Sequence, residues 1–356
     1  MKICERCFVN AELNAVVKNL KEKGCCEICG TETYIYDTKK HNEIIDIIDD
    51  FLNMYLSAKE ETPTPYRFNL ENELINRWKI FSYSCSYKVK NIVKEIYAFS
   101  EESKERFDIS LFDNEVYIPN MLDEEYLLEH AILRNNKWED FTKSIKYENR
   151  YHAHILNEKP LDEFLEALVK EYDAKDTFYR ARLSDQSGFS SKELGMPPPE
   201  KARAGRIGAE GIPCFYLAND KDTAIKEVRA GAFDYVTIAK FKLKHKIKVI
   251  DLRLLDDISP LSGVDPVALA VNRETLLKIK EEVEKPVRIT ENSLEYVPIQ
   301  YICDYIRSKG YKGIIYGSTM SAKGYNLSAF SDDDFQYKGR EIYYIEDLSV
   351  ASKKIK

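Results

Sequence analysis

No stretch of this chain stays apolar for the roughly 20 residues that a helix needs to cross a bilayer. Its opening residues, MKICERCFVN, lack the positive-then-apolar pattern of a secretory signal. Together these absences lead to the expectation of a cytoplasmic protein without a membrane partner. A basic excess is missing as well. The net charge of -7 argues against nucleic acid as a general partner and leaves room only for a local basic pocket. No internal repeat and no low-complexity tract occurs, which excludes a solenoid. Histidine is scarce. His41, His130, His152, His154 and His245 fall in no convincing order with a cysteine or serine for a catalytic triad. Neither H-E-x-x-H nor G-x-x-x-x-G-K-[ST] is present.

What remains is ample for a folded protein. At 356 residues the chain exceeds one average domain, and its 44% apolar content can fill two cores. Eight cysteines in a reducing compartment point to metal before disulfides. Cys4-x-x-Cys7 is followed after eighteen residues by Cys26-x-x-Cys29, the spacing of a two-knuckle zinc site. Cys25 is a competing ligand. Four thiolates close a tetrahedral shell, so such a site is structural and has no open position for catalysis. Cys85, Cys214 and Cys303 stand alone and read as buried small apolar residues.

Three parts follow from the pattern: a zinc ribbon at 1–36, a mainly helical module at 37–158 and an α+β domain at 159–356. Ile44, Ile45, Ile47, Ile48, Phe51, Leu52 and Tyr55 recur at helical spacing, and Thr62-Pro63-Thr64-Pro65 interrupts. Further helices are expected over 87–99, 123–134 and 138–151. After a helix marked by Leu161, Phe164, Leu165 and Leu168 the texture changes. Strands are expected at 178–183, 215–218, 236–242, 248–252, 313–316, 327–330 and 341–345, with helices at 221–230, 266–283 and 298–308. Strands split by helices in irregular order fit α+β better than a doubly wound sheet.

The chemistry concentrates in ARAGRIGAEGIPCFYLANDKDTAIKEVR, residues 202–229. Gly205, Gly208 and Gly211 do not fit G-x-G-x-x-G, and a strand follows them where a Rossmann loop needs a helix. Left over are a loop arginine (Arg206), a strand aromatic (Tyr216) and a helix glutamate (Glu227). Arginines grip phosphates bidentately, and a carboxylate steadies the positive charge that develops when a glycosidic bond breaks. Each residue also has a plain alternative. Glu227 beside Lys226 and Arg229 fits a solvated helix face, Tyr216 fits core packing, and Asn326 fits a turn.

Three segments, FYRAR at 178–182, AGRIGAEGIPCFYLANDKDTAIKEVRA at 204–230 and YKGIIYGSTMSAKGYNLSAF at 311–330, resemble the RES domain. The preceding part is similar to the N-terminal extension of some bacterial RES proteins. Arg150 and His154 stand too close for the Arg…His pair of HEPN ribonucleases. The resemblance implies an ADP-ribosyltransferase-like fold and NAD as substrate. It also implies a glycohydrolase or phosphorylase, often a toxin paired with an antitoxin or other regulatory protein. It puts Glu227, Arg180 and Ser318 in the catalytic set. Arg206, Tyr216, Arg182 and Asn326 are then expected to bind substrate. One departure stands out: where many members carry Trp-Asn after the loop arginine, this chain has Ile207-Gly208. Transfer of ADP-ribose to a macromolecule, and an inactive zinc-ribbon adaptor, are the alternatives. Oligomeric state stays open.

Overall fold

The computed structural model describes residues 1–62, 64–285 and 292–347; Pro63 of the expected helix break lies outside them. The chain divides into two compact units, one of residues 1–135 and 257–273, the other of 136–256 and 274–356. Among the described residues no helix is long and apolar enough to cross a membrane.

The first unit opens with β1 (Lys2–Cys4), α1 (Ala11–Asn19), β2 (Lys23–Cys25) and β3 (Glu32–Asp37). These strands form an antiparallel sheet in the order β1-β3-β2. The apolar stripe read from the sequence becomes α2 (Glu43–Leu52), which buries Ile44, Ile45, Ile48, Phe51 and Leu52 on one face. Glu43 and Asp46 in its first turn complement the helix dipole. Then come β4 (Leu56–Ser57), β5 (Phe68–Asn69), α3 (Leu70–Asn72), α4 (Val89–Tyr97), α5 (Glu101–Glu105), β6 (Glu115–Tyr117) and α6 (Glu124–His130). A small sheet, β4-β6-β5, accompanies the helices. Its two- and three-residue strands are too short to leave a period-2 signal in the sequence.

The second unit is α+β, as the sequence pattern predicts. It contains α7 (Trp138–Lys143), α8 (Glu158–Ala167), β7 (Val169–Tyr172), β8 (Thr177–Ser184), β9 (Phe215–Ala218) and α9 (Lys221–Glu227). It continues with β10 (Tyr235–Leu243), β11 (Ile247–Asp251), α10 (Pro266–Glu284), α11 (Val297–Ser308), β12 (Gly313–Gly317), β13 (Tyr325–Ala329) and β14 (Phe335–Tyr344). The first half of α10 groups with the N-terminal unit. Eight strands form one mixed sheet in the order β14-β10-β8-β9-β13-β12-β11-β7. Only β11 and β12 run parallel. Parallel neighbours need a crossover, and the segment carrying α10 and α11 supplies it.

One face of this sheet is closed by aromatics. Phe215 packs edge-on against Phe241 at 4.9 Å and against Phe335 at 5.5 Å, and Phe178 meets Tyr172 at 5.2 Å. Burying such a ring stabilises by about 1.5–3 kcal/mol, which makes this face the second unit's main anchor. The other face carries Ala181, Ala218, Val236 and Ile238 under Ala224 of α9. Small residues there let α9 lie close to the sheet. β14 starts six residues before the strand expected at 341–345, because its mostly exposed, polar sequence hides the alternation.

Candidate active site

β8 and β9 meet at a single residue pair, Tyr179 opposite Ala218, whereas β8 and β10 pair along the whole strand. Beyond that pair the two strands part, and a cleft of about 260 Å³ opens there. Register defines its floor. Tyr316 of β12 lies opposite Asn326 of β13, and Asn326 lies opposite Ala218 of β9. One row therefore runs Tyr316, Asn326, Ala218, Tyr179 across four strands, on one face of the sheet. Tyr216 sits two residues from Ala218 and shares that face. The small side chain of Ala218 leaves the space that the three tyrosines wall.

Glu227 enters from α9. Asp220 caps this helix, accepting from the Thr223 amide at 2.7 Å, and Lys226 pairs with Asp222 at 2.7 Å. Val228 ends the helix and Arg229 turns into the left-handed region at φ 52°. Glu227 is thus its last helical residue. A carboxylate at a helix C-terminus opposes the dipole and needs donors from elsewhere. Two converge on a single oxygen. Ser318 Oγ donates to Oε1 at 2.5 Å, and Asn326 Nδ2 donates to the same atom at 2.8 Å. Among the described residues no hydrogen bond to Oε2 is made, and Glu227 borders the cleft.

Ser318 stands behind this carboxylate. Its oxygen accepts from the amides of Met320 at 3.2 Å and Ser321 at 3.1 Å while its hydrogen goes to Glu227. Donor and lone pairs are thus spent inside the protein. Asn326 is buried in β13, not in a turn. Its amide fixes the Glu227 rotamer.

Arg180 points to the aromatic face of β8 but borders the cleft through the gap between the strands. Its guanidinium lies 5.3 Å from the Phe215 ring, and Nη1 donates to the Tyr216 carbonyl at 3.3 Å. Nε is buried with no hydrogen-bond partner. Burial pulls this guanidinium down to about 10, and the charge of Arg182 adds to the effect. It remains a cation at neutral pH.

Two of the expected arginines, Arg182 and Arg206, do not line the cleft. Arg182 donates to the Glu193 carbonyl and stacks on Phe189 at 4.6 Å. Arg206 donates from Nη1 to the Val283 carbonyl at 2.8 Å, satisfying the last turn of α10. Its loop is pinned by Gln300 Nε2, which reaches the carbonyls of Gly205 at 2.5 Å and Gly208 at 3.2 Å. Here the Ile207-Gly208 departure finds a physical reason. Ile207 is a buried anchor, and a Cβ on Gly208 would sit 2.9 Å from the Ile212 carbonyl and 3.0 Å from Cys214 Sγ.

Tyr216 is 38% exposed as a residue, and its hydroxyl lies close to Gly205. Burial of that end raises the phenol above its ordinary range, with Cys214 adding to the shift. Tyr179 and Tyr316 are cleft residues that the sequence reading did not single out. Burial, then the neighbouring Tyr216 and the charge of Glu227, hold the Tyr316 phenol well above its usual value, opposed by Arg206. Tyr316 therefore keeps its proton. The available signal was its position two residues before Ser318 on an apolar strand, hence on the same face.

In the N-terminal unit, Cys4, Cys7, Cys26 and Cys29 bring their sulfurs within 4.8 Å of one another. Cys4 lies 3.7 Å from Cys7 and 3.5 Å from Cys29, and Cys7 lies 3.7 Å from Cys26. Four sulfurs at ~2.3 Å from one tetrahedral ion would be about 3.8 Å apart, so the set fits such an ion. The amides of Cys4 and Ile28 both donate to Cys26 Sγ at 3.4 Å. Cys25, the competing ligand, is exposed and turns to the Gly30 carbonyl.

Residues 177–347 match the family model described as the RES domain. No curated protein matches the chain. A solved structure aligned with it, of the M. tuberculosis MbcT–MbcA toxin–antitoxin complex, has 12% sequence identity and a TM-score of 0.33. The alignment covers 52% of this chain and 93% of that one.

Proposed function

We propose that this chain, which carries a RES domain over residues 177–347, cleaves the nicotinamide–ribose bond of NAD. The observation that carries the reading is Glu227, a cleft-lining residue held through one carboxylate oxygen by Ser318 and Asn326. The bond between C1′ of the ribose and the pyridinium nitrogen breaks, and its electron pair leaves with nicotinamide. Nicotinamide departs neutral, so no general acid is needed. Positive charge builds on the ribose, and the carboxylate of Glu227 faces it while accepting from a ribose hydroxyl. Water then adds to C1′ and gives up a proton, yielding ADP-ribose. The aromatic walls formed by Tyr216, Tyr179 and Tyr316 suit a flat pyridine ring. Arg180, with its unmet Nε donor, suits a phosphate oxygen.

In this reading Ser318 and Asn326 are positioning residues, and Arg206 supports the cleft through its loop and α10. Arg182 orders the loop at 184–200. The four-cysteine cluster holds zinc as a structural ion that ties β1 to β3 and the two knuckles together; with four thiolates it takes no substrate. Destruction of NAD harms the cell that makes the enzyme, so a toxin or defence role restrained by a protein partner belongs to the same reading.

The test is incubation of the purified chain with NAD, with products separated by chromatography. Free nicotinamide and ADP-ribose in equal amounts are expected, and Glu227→Gln should reduce the rate at least about 10²–10³-fold without loss of fold. Label appearing on a protein in place of free ADP-ribose would move the assignment to ADP-ribosyl transfer. No turnover by the folded chain freed of any partner, together with tight binding of one, would favour an adaptor.

A further inference from the structure

A second concavity, of about 200 Å³, opens beside the cleft and shares Tyr179 with it. Register brings its cations together. Tyr179 of β8 lies opposite Lys240 of β10. On the far side of Lys240 the ladder slips: Ala239 faces Arg340 and Phe241 faces Tyr337, so Lys338 and Gly339 together oppose Lys240. This is a β-bulge, and it re-aims side chains. Gly339 takes φ 112°, which L residues rarely adopt, so the bulge depends on glycine there. Lys338 and Lys240 then line one concavity with Lys221 of α9. Its carboxylate, Glu341, is already engaged: Oε2 accepts from Lys221 Nζ at 2.6 Å and from the Tyr343 hydroxyl at 2.5 Å. Among the described residues neither Lys240 nor Lys338 is in a salt bridge or hydrogen bond through its ammonium, and Lys240 reaches Glu341 only through its charge at longer range. A chain of net charge -7 thus gathers two cations outside any salt bridge at a hollow next to its candidate active site.

We propose that this concavity is a subsite for a phosphate monoester carried on the substrate of the neighbouring cleft. A monoester brings about -1.5 to -2 charge at neutral pH, which two lysines outside any salt bridge can neutralise. Lysine acts on phosphate as a rotatable point charge and suits a terminal group better than a rigid fork does. The identity of the nucleotide rests on the proposed function; the anion subsite does not. It follows that the 2′-phosphorylated form of NAD is favoured over NAD.

Calorimetric titration of the full chain with AMP and with adenosine 2′,5′-bisphosphate tests this without turnover. The bisphosphate should bind at least about tenfold more tightly, and the advantage should shrink as salt rises. The Lys240→Gln/Lys338→Gln double variant should bind the two nucleotides about equally while its melting temperature holds. Failure of either nucleotide to bind, equal binding by the unmodified chain, or an advantage untouched in the double variant overturns the subsite. Displacement of the bisphosphate by an equal concentration of inorganic phosphate overturns it too, since the occupant would then be a free ion. Inactivity toward NAD with the tenfold advantage intact would count against the proposed reaction alone.

Discussion

The four-cysteine cluster and the Glu227 cleft are assembled in opposite ways. The cluster draws its groups from two short turns, and each pair of sulfurs is set by a local C-x-x-C spacing. The cleft draws on β8, β9, α9, β12 and β13, whose residues span 179 to 326. A local motif carries its geometry within it, while a distributed site has none until the sheet forms. The difference also separates kinds of sensitivity. The cluster should fail as a unit when one ligand is lost. The cleft should fail by degrees, according to how far a residue stands from the reacting atoms.

The largest effect expected is from Cys26→Ser. Four-thiolate sites in small domains bring apparent binding free energies of about 10–16 kcal/mol, so the ribbon should lose its metal and its fold. Metal analysis and limited proteolysis within residues 1–36 would detect this. Retention of one equivalent of zinc with a protected ribbon would break the comparison at its first term. Next comes the loss on Glu227→Gln described above. Ser318→Ala should be milder. It removes one of two donors to Oε1 and leaves Asn326 in place, so kcat should fall about 10–100-fold with KM little changed. A loss as deep as that of Glu227→Gln would give the serine a direct part in the reaction. The smallest effect is Cys25→Ser, which should change stability by no more than about 0.5 kcal/mol and leave metal content intact, since its exposed thiol lies outside the cluster. A thermal melt with metal analysis measures both.

Much of the second unit was legible because its elements are periodic. The strand at 215–218, the start of α9 at Lys221 and α10 within a residue of 266–283 follow from alternation, an Asp220 cap and a helical stripe. The residues that escaped did so for identifiable reasons. β14 is polar and bulged at Gly339, so its early residues carry no clear alternation. Tyr316 and Tyr179 look like core tyrosines in sequence, and only the parting of β8 from β9 turns them into walls of a cleft. Arg182 and Arg206 carry the same charge as Arg180, yet each gives one donor to a carbonyl, in a loop and at a helix end, and neither lines the cleft.

The sequence by itself determined which four cysteines cluster, the α+β order of the second unit and the residue types available to the cleft. Spacing, periodicity and capping act over a few residues, so they survive in the linear chain. The tertiary structure alone decided that Ser318 spends its hydroxyl on Glu227, that Asn326 shares the task, and that Arg180 rather than Arg206 reaches the cleft. It also decided that Lys240 and Lys338 meet across a bulge. Each of these is a contact between strands or between a strand and a helix, set by register and by where a sheet splits, and register is a property of the folded sheet.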